Sequence, residues 1–291
     1  SGAWGLPPLR KGTDPPDELV ALRAAISAMR TGDPTKGSNV SIHREQFGRV
    51  DAMVCVPAPA AAGTIVHFHG GGYRLGSAEV SAPFAVRLAA VTSHSVVLPN
   101  YRLAPEHPFP GALHDAAGVY SALSERNASP IILSGDSAGG GLAAALMVAI
   151  LRAELRPPVG LMMFSPWLDM RASAASFASR ATTDVMFSSE SATEAASEYL
   201  QGVSKEEPLA SPLLADVVGF PPTLMFAGED EVLLDDALAF TAALSRANVT
   251  VHAHFEAGMQ HVWPVVFPDL PQSDNAVEIV ARFVEMLGRP G

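Results

Sequence analysis

Gly135-Asp136-Ser137-Ala138-Gly139 constrains this chain more than any other stretch. It follows the short apolar run Pro130-Ile131-Ile132-Leu133-Ser134 and opens the small-residue, helix-forming stretch from Gly140 to Glu154. A strand, a sharp turn and a helix in that order are what a Gly-x-Ser-x-Gly nucleophile elbow requires. Side chains at Gly135 and Gly139 would crowd a turn that presses strand against helix, while Ser137 takes the strained position at its tip. The Ser137 hydroxyl is then expected at the carboxyl end of a central strand, above the start of a helix. The motif alone also arises by chance at strand–helix junctions, so the remaining chain has to supply its partners.

The chain supplies the scaffold for such a turn. Thr64-Ile65-Val66-His67-Phe68, Ser95 to Pro99, Ile131 to Ser134, Val159 to Phe164, Thr223 to Ala227 and Val249 to Phe255 are short apolar runs that read as strands. Val80 to Val91, Ala112 to Arg126, Leu234 to Arg246 and Asn275 to Leu287 read as helices between or after them. Short connections between alternating strands and helices imply right-handed crossovers and a mostly parallel sheet, an α/β fold. Ahead of them, Val40 to Phe47 and Arg49 to Val56 meet at Gly48 as an antiparallel pair. A helix over Glu18 to Met29 carries one apolar stripe, which cannot bury itself and must lie on something else. Arg171 to Gly202 holds no strand candidate and reads as short helices covering the catalytic edge of the sheet. Four stretches follow: a cap segment at 1–38, core at 39–170, a cap insertion at 171–205 and core again at 206–291.

Composition narrows the chemistry. In 291 residues, 48% hydrophobic and 17% charged, a layered core covered on both faces can be buried. A formal charge of −11 argues against nucleic acid as a partner. The one cysteine, Cys55, cannot form an intrachain disulfide and sits in an alternating run where a buried thiol is expected. No apolar run approaches the ~18 residues of a membrane span. The start of the chain lacks the basic region and apolar stretch of a signal peptide, and a cytoplasmic location is the expectation.

A nucleophilic serine needs a base, and the base needs an acid to orient it; behind an elbow they follow in the order Ser, acid, His. His252 and His254 share one face of a predicted strand and read as structural. His261, in the loop Glu256-Ala257-Gly258-Met259-Gln260-His261, is the candidate base. The strand ending at Ala227 delivers Gly228-Glu229-Asp230-Glu231-Val232-Leu233-Leu234-Asp235-Asp236. Asp235 and Asp236 suit the first turn of the following helix, Glu229 lies close to the strand end, and the spacing does not separate Asp230 from Glu231. The oxyanion of a tetrahedral intermediate needs donors already aimed at it. Ala138 N–H, beside the nucleophile, supplies one, and His69-Gly70-Gly71-Gly72, leaving a strand, supplies Gly71 and Gly72.

Three motifs in this order, His69-Gly70-Gly71-Gly72, Tyr101-Arg102-Leu103-Ala104-Pro105-Glu106-His107-Pro108-Phe109-Pro110 and Gly135-Asp136-Ser137-Ala138-Gly139-Gly140, resemble those of the hormone-sensitive-lipase-like bacterial esterases. The resemblance runs from about Val40 to the C-terminus. It implies an α/β-hydrolase fold: an eight-stranded, mostly parallel sheet flanked by helices, its second strand antiparallel, with a small helical cap. It also implies hydrolysis of short- to medium-chain carboxylic esters through an acyl-enzyme, with no cofactor or metal, and it favours a homodimer, for which the edge of the last strand is available. The family pairs its catalytic acid with a second acid four residues on. That spacing matches Glu231 with Asp235 and favours Glu231 over Asp230, although the usual residue is Asp. By the same resemblance Asp136 and the loop from Tyr101 shape the surroundings of the glycine turn, and Asp115 and Asp169 make structural contacts.

The expected assembly is therefore Ser137, His261 and Glu231 with Gly71, Gly72 and Ala138, acting on a small neutral ester. Pockets lined by apolar residues between Trp4 and Met29 and between Phe177 and Leu200 belong to the same expectation. Two rivals stand beside it: a related enzyme for lactones, amides or drug-like esters, and a non-catalytic binder of small molecules. The second would be marked by a missing nucleophile, histidine or glycine donor, and all three are present.

Overall fold

Strands buried on both faces have no reason to alternate polar and apolar residues, and the middle strands of this chain do not. The computed structural model describes residues 4–29, 32–59, 63–126 and 129–288. Its strands are β1 (Val40–Phe47), β2 (Val50–Pro57), β3 (Thr64–Phe68), β4 (Ser95–Pro99), β5 (Ile131–Asp136), β6 (Gly160–Phe164), β7 (Thr223–Gly228) and β8 (Val251–Glu256). Every residue of β5, β6 and β7 is buried, whereas β1, at the sheet edge, alternates buried ends with exposed positions.

The strands form one sheet in the order β1-β2-β4-β3-β5-β6-β7-β8. β2 runs antiparallel to β1 and β4, and the other pairs are parallel. Helices α1 (Asp17–Ala28), α2 (Ala78–Thr92), α3 (Gly111–Arg126), α4 (Ala138–Arg152), α5 (Ser176–Ser179), α6 (Ser189–Leu200), α7 (Leu234–Arg246), α8 (Trp263–Val266) and α9 (Pro271–Leu287) complete it. Neighbouring strand residues point into different cores. Val66 and Leu133 join Leu142, Leu146 and Phe240 under α3, α4 and α7. Ile65 and Ile132 join Phe84, Leu88, Val280 and Phe283 under α2 and α9. This is the eight-stranded α/β architecture that the sequence implies, with its second strand antiparallel.

The order also locates a site. After β3 the chain crosses to β4 on one side, and after β4 it crosses back to β5 on the other. The carboxyl ends at such a switch open a crevice between diverging loops. Because Phe68 pairs with Gly135, the turn at 69–72 faces the turn at Ser137. Gly139 makes the approach possible, since a Cβ there would land on the Phe68 carbonyl. The loop after β4 braces the arrangement. Arg102 forks onto the buried Asp115 carboxylate at 2.8 and 2.9 Å, and Ala104 N–H donates to the Tyr73 carbonyl at 2.8 Å. Arg23 of α1 donates to the carbonyls of Arg74 (2.8 Å) and Ala104 (2.7 Å) and pairs with Glu106.

Several boundaries differ from the sequence reading. β5 continues through Asp136, β8 starts at Val251 rather than Val249, and α9 starts at Pro271 rather than Asn275. Proline suits a helix's first turn, where its missing N–H has no partner to lose. The short α8 was not anticipated. Between β6 and β7 the insertion holds α5 and α6, the latter opened by a capping box of Ser188 and Ser191. Tyr199 stacks on Tyr73 at 3.9 Å between centroids and Phe177 is covered, Phe187 is half-buried, and Val185 and Met186 face solvent. Trp4 departs from the expected pocket lining. It packs edge-on against Tyr120, and its indole N–H donates to Ser121 Oγ at 3.0 Å, both on α3. Cys55 is buried as expected, and burial pushes its thiol up to about 12. Among the described residues no helix is long and apolar enough to cross a membrane.

Candidate active site

Ser137 follows β5 and sits at φ 51°, ψ −122°, a conformation L-residues rarely adopt, directly before α4. Its amide is spent on the Phe164 carbonyl at 2.9 Å and its carbonyl accepts from Trp167 N–H at 2.9 Å, so the strained turn is held from β6. The Ser137 hydroxyl lies 2.9 Å from His261 Nε2, and His261 Nδ1 lies 3.3 Å from Glu231 Oε1. Ser137 is 7% exposed, His261 5% and Glu231 0%, so the three communicate largely out of water.

Of the two acids that the residues left open, Glu231 reaches His261. Among the described residues no hydrogen bond links the Asp230 carboxylate to the imidazole. The Asp230 backbone instead joins the turn, donating to the Met259 carbonyl at 3.2 Å and accepting from Thr183 Oγ1 at 3.0 Å. Glu231 Oε2, the oxygen turned away from histidine, accepts from Ser165 Oγ at 2.6 Å and from Gly228 N–H at 2.8 Å.

Burial alone would push the His261 pKa down. The hydrogen bond that the ring donates to Glu231, and that carboxylate's charge, oppose this, with smaller contributions from Asp184 and Asp136, and the result lies above the ordinary 6.5. A nearby carboxylate favours the imidazolium that appears when histidine takes a proton from serine.

The glycine turn is tightly wound. Gly71 has φ 116° and its carbonyl accepts from Arg74 N–H (3.0 Å) and Leu75 N–H (2.8 Å). Among the described residues, none accepts a hydrogen bond from the N–H of Gly71, Gly72 or Ala138. Ala138 is the first residue of α4, where an amide has no intrahelical partner and the helix dipole favours negative charge. His69 serves as a buttress: Tyr101 stacks on it at 4.3 Å and donates to its carbonyl at 2.7 Å, and burial lowers its pKa.

Three contributors escaped the sequence reading. His67, fully buried, lies 2.9 Å from Ser134 Oγ and 3.2 Å from Asp136 Oδ1, beneath the elbow. The signal was available, since polar residues in two apolar strands stand in register. The Asp184 carboxylate accepts from Met186 and Phe187 N–H and from Val232 N–H, each at 2.9 Å, which ties the insertion to the residue after Glu231. That places Phe187 parallel to the His261 ring at 5.8 Å. Ser165 is the third.

His252 and His254 stay on β8, against Phe283 and Phe226, and neither joins Ser137. Asp235 and Asp236 make no side-chain cap on α7. The Asp235 carboxylate accepts from Ser176 N–H, at the start of α5, at 2.8 Å and that of Asp236 from Leu168 N–H at 3.3 Å, since buried amides need acceptors. Burial, reinforced by Asp169, raises Asp236 to about 7. Asp169 holds Arg171 at 2.8 Å. Among the described residues no three His, Cys, Asp or Glu side chains are grouped to hold a metal ion.

Known proteins resemble this one over most of its length. A family model described as alpha/beta hydrolase fold matches residues 65–265. An acetyl-hydrolase of Streptomyces hygroscopicus is 35% identical over 230 residues, 78% of this chain and 77% of that protein. The crystal structure of EstE5 superposes with a TM-score of 0.88 at 31% identity, over 96% of this chain and 94% of that one. An esterase from the bacterial hormone-sensitive lipase family superposes with a TM-score of 0.83 at 31% identity, covering 94% of this chain and 99% of its own.

Proposed function

This chain belongs to the alpha/beta hydrolase family, among its bacterial hormone-sensitive-lipase-like esterases, and is a carboxylic ester hydrolase, in which we propose that Ser137, His261 and Glu231 form the catalytic triad. The observation that carries the assignment is the chain of contacts from Ser137 Oγ through the His261 ring to Glu231, lying beside amides with no partner among the described residues.

The chemistry follows from that geometry. His261 Nε2 takes the hydroxyl proton as Ser137 Oγ attacks the ester carbonyl, and Glu231 stabilises the resulting imidazolium. Gly71, Gly72 and Ala138 N–H donate to the oxyanion, an interaction worth about 3 kcal/mol per donor in the transition state. His261 then gives its proton to the departing alcohol. Water, activated by the same nitrogen, attacks the acyl-enzyme, and Ser137 recovers its proton as the acid leaves.

The substrate in this reading is a small neutral ester with a short to medium acyl chain. Residues 1–38 and 171–205 act as the cap over it. The side chains that support a narrow acyl site are Phe187 on His261 and Ala195, whose methyl would lie 3.4 Å from a Cβ built on Gly72. A homodimer through the free edge of β8 and a cytoplasmic setting complete the proposal. Turnover of nitrophenyl acetate, butyrate and laurate, with an anilide and a lactone in the same panel, tests it. Acetate or butyrate is expected to lead; a lactone or anilide leading would replace the ester as the preferred substrate.

The raised pKa of His261 gives the pH profile a direction. The base works only when neutral, so activity falls as pH drops through its pKa. The acid limb of kcat/KM for nitrophenyl butyrate is expected to bend above 6.5. A midpoint below 6.5 would mean that burial outweighs Glu231 in the free enzyme.

A further inference from the structure

Ser165 does not touch the reacting atoms, yet its hydroxyl donates and accepts within the site. It follows β6 directly and is completely buried. Its φ is 48°, in the left-handed region that side chains avoid. A strained residue persists when the surroundings over-determine it, and strain of this kind gathers at functional sites. Here the surroundings can be named. Ser165 N–H donates to the Phe226 carbonyl of β7 at 2.7 Å. Its hydroxyl donates to Glu231 Oε2 at 2.6 Å and accepts from Val262 N–H at 2.9 Å.

Those two hydroxyl contacts join separate parts of the triad. Glu231 sits on the turn after β7, and Val262 is the residue following His261, itself in the left-handed region at φ 51°. Among the described residues, Ser165 is the only side chain besides His261 that hydrogen-bonds the Glu231 carboxylate; the third donor, Gly228 N–H at 2.8 Å, belongs to the acid's own turn. Without the hydroxyl, the carboxylate keeps one local tether and can rotate about its side-chain bonds, while the Val262 amide loses its acceptor.

We propose that Ser165 is a positioning residue for ester hydrolysis, its hydroxyl fixing the Glu231 carboxylate and clamping it to the backbone that carries His261. The proposal rests on the triad reading above. A hydroxyl suits both contacts because it donates and accepts at once. Its donation to an ionised acid is of the charge-assisted kind, short and strong. The role works through Glu231, so its effect should appear in the chemical step and not in substrate binding.

The test is a double-mutant cycle on nitrophenyl butyrate. Ser165→Ala and Ser165→Gly both remove the hydroxyl, and glycine also suits the positive φ, so it keeps the test open if alanine folds poorly. Each is combined with Glu231→Ala, and thermal melting reports folding throughout. Each Ser165 substitution is expected to lower kcat by about 10- to 100-fold, with KM within about threefold, as geometric misplacement of a catalytic group does. In the Glu231→Ala background the same substitutions should cost less than about threefold, because the group that Ser165 positions is gone. A loss of equal size in both backgrounds, or a loss below about threefold in the parent, overturns the proposal while leaving the triad standing. A Glu231→Ala protein as active as the parent overturns the triad reading, and this proposal with it.

Discussion

Ser137→Ala is expected to lower kcat/KM for nitrophenyl butyrate by at least about 10,000-fold while the protein remains folded. At ~1.36 kcal/mol per factor of ten, that is a loss of about 5 kcal/mol or more of transition-state stabilisation. The magnitude follows from the mechanism. In the proposed mechanism the hydroxyl is the atom that forms the acyl-enzyme, so its removal leaves only water attack assisted by the oxyanion donors, with residual catalysis of about 1,000- to 10,000-fold over solution. Folding should be little affected. The turn is held by backbone bonds from Phe164 and Trp167, and only the hydroxyl's contact with His261 is lost. Turnover and thermal melting of the purified variant check both halves. A folded Ser137→Ala protein that hydrolyses the ester at the parent rate would remove Ser137 from the mechanism.

The second large effect separates the two acids. Glu231→Gln is expected to reduce kcat by about 1,000- to 10,000-fold, whereas Asp230→Asn should stay within about threefold of the parent. Glutamine keeps the shape but can turn its NH2 toward His261 Nδ1, which favours the tautomer with its proton on Nε2. That proton faces Ser137 and prevents the base from working. The charge is lost as well. Burial then acts on His261 with less opposition, so the residual activity should carry an acid limb shifted below that of the parent. Asp230 contributes its backbone to the same turn and its carboxylate to no bond with His261. A selective loss in Asp230→Asn would reverse the assignment.

Different parts of this enzyme were legible to different degrees. The elbow, the glycine turn and the strand–helix alternation could be read because they are local. A Gly-x-Ser-x-Gly after an apolar run leaves few backbone paths, and the Cβ that Gly139 lacks would meet the Phe68 carbonyl. His261 followed from its place in a loop beyond the last strand. Glu231 did not follow from chemistry, since Asp230 stands one residue away on the same turn. Only the family spacing favoured it, and only the turn's path brings its carboxylate, and not its neighbour's, to 3.3 Å from the imidazole.

The residues that support the proposed triad were not read, and only His67 left a signal, as a polar residue in an apolar strand. Asp184 meets Val232 across 48 positions, Ser165 meets Glu231 across 66, and His67 meets Asp136 across 69. Asp235 and Asp236 stand in the first turn of α7, as read, but the partners of their carboxylates, the amides of Ser176 and Leu168, were not foreseen. Trp4 looked like pocket lining and packs on α3 instead.

By itself the sequence determined where the backbone must turn and which residues can do chemistry there: Ser137 at a strained tip, glycines with bare amides, a histidine beyond the last strand. Steric limits on a few consecutive residues act within the segment, so they can be read along it. Only the tertiary structure decided which of several equivalent carboxylates and hydroxyls meet. A polar side chain's partner is set by the packing of strands far apart in sequence, and burial makes each such pairing obligatory without leaving a mark in the spacing.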